Sequence, residues 1–140
     1  MRAVDILIIE DDPADIELTM RVLREHALAN EIEVARDGEE ALAYFFGETA
    51  SPTGVPRLIL LDLKLPKIDG LEVLRRLKSE ASTRTIPIVV LTSSREAPDL
   101  KRAYDLGVNS YLCKPIEFQD FGEVIRQLGM YWLVVNEPPS

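Results

Sequence analysis

Four stretches of the chain each run from apolar residues into groups that can do chemistry. Leu58 to Leu61 (LILL) ends in Asp62, and Val4 to Ile9 (VDILII) ends in Glu10, Asp11 and Asp12. Ile86 to Leu91 (IPIVVL) ends in Thr92, Ser93 and Ser94, and Ser110 to Cys113 (SYLC) ends in Lys114 and Pro115. Carboxylates gathered in one crevice raise one another's pKa unless a cation holds them ionised. A few hard oxygens with room left for water and a phosphate oxygen suit Mg²⁺. A carboxylate can also accept a phosphoryl group, and a metal ion, an ammonium and a hydroxyl are the groups that stabilise its charge in transit. Asp11, Asp12 and Asp62 are therefore candidate carboxylates for such a site, the Lys64 backbone carbonyl is a candidate further metal ligand, and Thr92 and Lys114 supply a hydroxyl and an ammonium of the kind that phosphoryl chemistry uses. Singly, each residue has a plain explanation: Asp12 as a helix N-cap before Pro13, Thr92 as the start of a turn, Lys114 as a solvated lysine. Those explanations give no reason for acid, acid, hydroxyl and ammonium to end four separate strands.

These groups meet only if the elements between them deliver all four strand ends to one edge. A run apolar throughout and bounded by turn residues reads as a strand buried on both faces, as in a parallel sheet. Between the strands lie helical patterns: Pro13 onward with Ile16, Met20 and Leu23; Glu39 to Phe46; Leu71 to Ser79; Pro98 to Leu106; and a long helix from Glu117 carrying Phe118, Phe121, Ile125, Leu128, Trp132 and Val135 on one stripe. Ile32 to Ala35 supplies a fifth strand, and Glu48 to Pro56 a long loop. Strands alternating with helices predict an α/β fold, a doubly wound five-stranded parallel sheet with helices on both faces. The right-handed crossover rule leaves the flavodoxin-like order 2-1-3-4-5 as the best candidate. In such a sheet ligands bind at the carboxyl ends of the strands.

At 140 residues the chain is expected to form a single domain, residues 1–140, with an extended C-terminal helix and no output domain. The net charge of −8 works against phosphate-backbone binding, so no nucleic-acid partner is expected. No apolar run approaches the roughly 20 residues that span a bilayer, so no membrane association is expected. The single cysteine, Cys113, fits a reducing cytoplasm.

The set IIEDDP, LLDLKLPKIDG, VVLTSS and SYLCKP resembles the receiver domain of two-component response regulators, from about Val4 to Leu133 and in the right order. The resemblance implies that Asp62 takes a phosphoryl group from a sensor histidine kinase in a Mg²⁺-dependent reaction. It implies that Asp11 and Asp12 complete the metal site, and that Thr92 and Lys114 bind phosphoryl oxygens. It further implies a cis peptide between Lys114 and Pro115, and a switch role for Thr92 and Tyr111, the latter otherwise an ordinary strand aromatic. The chain would catalyse only its own phosphorylation and dephosphorylation, and would signal by protein contact.

The extended end and the long loop before the third strand look like the single-domain regulators that partner phytochromes. A phytochrome-type kinase is the partner so implied, with a homodimer through helix 4, strand 5 and helix 5. Phe118, Tyr131, Trp132 and Val135 are candidates for that contact, although Trp132 can equally fold back on its own domain. Two rivals remain: a haloacid-dehalogenase-like phosphatase, which resembles this pattern but carries a second Asp where Lys64 stands, and an interaction scaffold independent of phosphorylation.

Overall fold

The apolar stretches become short strands: β1 (Ile6–Ile9), β2 (Ile32–Ala35), β3 (Leu58–Leu61), β4 (Ile88–Thr92) and β5 (Ser110–Cys113). In the computed structural model residues 4–47, 55–115 and 117–137 are described, so most of the loop expected over 48–56 lies outside them. Helices α1 (Pro13–Glu25), α2 (Gly38–Phe46), α3 (Gly70–Ser79), α4 (Ala97–Asp105) and α5 (Phe118–Gly129) alternate with the strands. The five strands form one sheet in the order β2-β1-β3-β4-β5, every pair parallel, the arrangement expected above.

Side chains alternate across each strand and so divide the core in two. Ile6, Ile8, Leu58, Leu60, Val89 and Leu91 pack beneath α1 and α5. Leu7, Ile9, Ile59, Leu61, Ile88 and Val90 pack on the opposite face with Ala41, Val73, Leu74, Leu77 and Ala103 from α2, α3 and α4. Each fully buried Leu or Ile contributes about 1.5–3 kcal/mol, so the three inner strands, β1, β3 and β4, buried at every residue, are the most firmly held part of the sheet.

The last helix departs from the continuous one expected. α5 ends at Gly129, and Met130–Val135 winds as a π-helix. A Cβ on Gly129 would lie 2.8 Å from Leu23 Cδ2 and 2.9 Å from Leu28 Cδ1, so the end of α5 closes on α1 only because no side chain stands there. The wider turn then buries Leu133 and packs Trp132 against the core, while Tyr131, Val134 and Val135 face outward. Arg57 fastens this segment to the sheet. Its Nη2 donates to the Leu133 carbonyl at 2.8 Å, its Nη1 lies 4.0 Å from Asp5, and its backbone N–H donates to the Val4 carbonyl.

Candidate functional site

Register places the acids. Ile9 pairs with Leu61, and the Asp62 N–H donates to the Ile9 carbonyl at 3.0 Å, so the residues that follow these two strands, Glu10 and Asp62, emerge side by side. Carboxylate oxygens of Glu10, Asp11 and Asp62 all lie within 4.8 Å of one another. Asp62 is 5% exposed. The loop after it is set by Gly70, where a Cβ would sit 2.4 Å from the Asp62 carbonyl oxygen and 2.5 Å from Leu63 Cα. A side chain there would push the Asp62 backbone out of place. The Gly70 N–H donates to the Leu63 carbonyl, and the Lys64 N–H donates to Asp62 Oδ1 at 3.2 Å.

Asp12, expected among the metal ligands, is not in this cluster. Its Oδ1 accepts the N–H groups of Ala14 at 2.9 Å and Asp15 at 3.3 Å, and so caps α1. With Pro13 opening the helix, the cap claims the third acid, and the strand end claims the first. Glu10 therefore takes the place expected of Asp12. Glu10 Oε2 also accepts the N–H groups of Asp11 and Asp12, which fixes the turn between strand and helix.

Lys114 reaches into the same pocket from the end of β5. Its Nζ donates to Glu10 at 2.6 Å, Asp15 at 2.8 Å and Asp62 at 2.9 Å. Burial works to pull the ammonium's pKa down, but the hydrogen bonds to Asp15, Glu10 and Asp62 outweigh it and hold the group charged. Burial and the neighbouring Asp62 push Glu10 from its ordinary 4.5 up to about 8, against the opposing pull of Lys114. A carboxyl so raised is one that a second cation would return to its ionised form.

Thr92 ends β4 on the same edge and is fully buried. Its Oγ1 accepts the Ser94 N–H at 3.3 Å. The Tyr111 hydroxyl donates to the Ser94 carbonyl at 3.1 Å, and the Ser94 hydroxyl donates to Asp99 in α4. Lys64 Nζ lies 3.6 Å from Asp99 and so leans toward α4. The Lys114–Pro115 peptide is trans, contrary to the cis form expected from the resemblance. Trans is the lower-energy form by about 0.5–1 kcal/mol, and the Lys114 N–H donates to the Thr92 carbonyl while Nζ reaches the acids. Asp15 was not singled out in the sequence, because its role depends on which way the first turn of α1 faces across the sheet.

A broad groove of about 620 Å³ lies elsewhere, along α1, lined among others by Pro13, Ile16, Met20, Arg21 and Arg36. It holds none of the acids of the cluster, so chemistry rather than concavity marks the site. Among the described residues no helix is long and apolar enough to cross a membrane.

Comparison with known proteins agrees with this geometry. The family model of the response regulator receiver domain matches residues 6–126. The probable methanogenesis regulatory protein FilR2 of Methanothrix harundinacea is 43% identical over 135 residues, covering 96% of this chain and 87% of its own. Response regulator Rcp1 of Synechocystis sp. is 39% identical over 137 residues, 96% of this chain and 92% of its own. The Mn²⁺-bound crystal structure of Rcp1 superposes with a TM-score of 0.92 at 35% identity, covering 100% of both chains. The phosphorylated cyanobacterial phytochrome response regulator RcpA superposes with a TM-score of 0.93 at 37% identity, over 99% of this chain and 100% of that one.

Proposed function

Because the chain belongs to the response regulator receiver family, we propose that Asp62 is the residue on which it receives a phosphoryl group from a sensor histidine kinase. The observation that carries this reading is the convergence of Glu10, Asp11 and Asp62 within 4.8 Å, with the Lys114 ammonium 2.9 Å from Asp62. Family membership sets aside the phosphatase alternative. An Asp62 carboxylate oxygen attacks the phosphorus of the kinase phosphohistidine, the P–N bond breaks, and the imidazole leaves. Lys114 is placed to neutralise charge on the phosphoryl oxygens, and Thr92 to bind another once its hydroxyl turns from Ser94.

The three carboxylates form a hard oxygen set of the kind that holds Mg²⁺, with the Lys64 carbonyl as a proposed fourth protein ligand. When bound, Mg²⁺ would supply charge neutralisation to the acids and the phosphoryl oxygens. Hydrolysis, in which water attacks the phosphorus and inorganic phosphate leaves, restores the Asp62 carboxylate and ends the signal. The chain catalyses no reaction but this one on itself.

The likeness to RcpA supports a phytochrome-type kinase as partner. The output is a protein contact in the cytoplasm. Leu100 and Tyr104 on α4, Phe118 on α5, and Tyr131 and Val135 beyond it expose large apolar surface, which supports a homodimer through α4, β5 and α5. Trp132 is withdrawn from that set by its packing on the core.

Incubation with acetyl phosphate and Mg²⁺ is expected to add one acid-labile phosphoryl, seen by intact mass and lost in Asp62→Asn or with EDTA. An adduct unchanged in Asp62→Asn would dispose of the assignment. Sedimentation of Tyr131→Ala with Val135→Ala against the parent tests the dimer, which two monomeric samples would rule out.

A further inference from the structure

We propose that Asp15, in the first turn of α1, is a positioning residue that tethers Lys114 while the other partners of that ammonium change. The proposal rests on the reading of Asp62 as phosphoacceptor. An ammonium has three N–H donors, and those of Lys114 are spent on Glu10, Asp15 and Asp62 at 2.6, 2.8 and 2.9 Å. To meet a phosphoryl oxygen, Lys114 must release one of them. Glu10 and Asp62 belong to the acidic cluster, where a cation competes for the same oxygens, and Asp62 is itself converted to an acyl phosphate. Asp15 stands outside that cluster. It is the one partner common to the resting and the phosphorylated states.

Asp15 is built to hold still. Its backbone N–H donates to the Asp12 cap at 3.3 Å, and its carbonyl accepts the hydroxyl of buried Thr19 at 2.7 Å. The carboxylate thus sits on a pinned turn of α1 and reaches a residue 99 positions away at the end of β5. Asp12, the acid that the metal cluster leaves out, acts here through Asp15. Without the tether, Lys114 settles on Glu10 and Asp62 alone and contests their oxygens with any divalent cation.

Mn²⁺ binding to the full chain, read by titration calorimetry, tests the tether in a double-mutant cycle. Asp15→Asn is expected to weaken Mn²⁺ binding about tenfold in the parent, but less than about twofold in a Lys114→Met background, where no ammonium remains to be released. Asp15→Glu keeps the charge and is expected to recover most of the affinity. A fold defect alone moves the unfolding midpoint without this dependence on Lys114. Equal losses in both backgrounds, or no loss in either, would overturn the proposal. The phosphoryl adduct on the parent protein is measured alongside: its absence would sink the phosphoacceptor reading, while the Mn²⁺ cycle still decides the tether.

Discussion

The two sides of the sheet meet the site on different terms. Helices α1, α2 and α3 each begin on an aspartate whose side chain accepts from the first turn: Asp12 from Ala14 and Asp15, Asp37 from Glu40, Asp69 from Glu72. Helices α4 and α5 begin on Glu96 and Glu117, and neither side chain caps. Strands β1, β3 and β4 are buried at every residue, whereas β5 is only half-buried throughout. The acids therefore stand on buried strands beside capped helices. Beyond the backbone ladder of the sheet, Lys64 with Asp99 and Lys114 with the acids link them to α4 and β5, and Tyr111 with Ser94 ties β5 to the loop after β4. The dianionic phosphoryl proposed for Asp62 would change the charge at the ends of those contacts, and the less firmly started helices are where a small energy change would move structure.

The largest way to break this contrast is Gly70→Ala. The added methyl meets the Asp62 and Leu63 backbone, so a loss of about 1–3 kcal/mol in stability is expected by urea titration, with slower phosphorylation of what remains folded. A parent-like midpoint would show that the loop yields freely.

Removal of divalent cations sharpens the electrostatic side of the comparison. Glu10 binds its proton more tightly folded than unfolded, so its contribution to stability is complete below 4.5 and is lost as pH rises toward about 8. EDTA-treated protein is expected to lose stability across that window, and saturating Mg²⁺ to remove the slope. A flat profile without metal would contradict the environment assigned to Glu10.

The caps give a smaller and more direct comparison. Asp69→Ala is expected to cost about 1 kcal/mol, against almost nothing for Glu96→Ala, where there is no side-chain cap to lose. Paired thermal melts would read the difference, and equal shifts would erase the asymmetry. Smallest of all is Lys101→Ala: its pair with Asp105 is exposed on both sides, and no shift in midpoint is expected at physiological salt.

The sequence carried most of the fold because its inner strands are almost wholly apolar and four of its five helices begin at or beside an aspartate or proline. Asp62, Thr92 and Lys114 were legible for the same reason, as residues that end strands. The run Glu10-Asp11-Asp12 was harder. Three consecutive acids permit three choices of pair, and the register of Ile9 with Leu61 brings Glu10 and Asp11 to Asp62. The signal that excludes Asp12 was present in Pro13, which makes the preceding residue a cap. Asp15 was not legible, because its contact with Lys114 is set by the rotation of α1 over the sheet. The peptide before Pro115 was not legible either, since trans and cis differ there by about 1 kcal/mol or less and tertiary contacts choose. The π-helical end begins just past Gly129, where α5 closes on Leu23 and Leu28, and periodicity along one helix reports neither the winding nor that approach.

Arg57 gives the C-terminal segment a mechanical meaning. It binds the Leu133 carbonyl with one nitrogen, leans on Asp5 with the other, and stands just ahead of β3. Beside the packing of Leu133 and Trp132 on the core, one guanidinium therefore ties the π-helical end to the residues just ahead of β1 and β3, the two strands whose far ends carry Glu10 and Asp62.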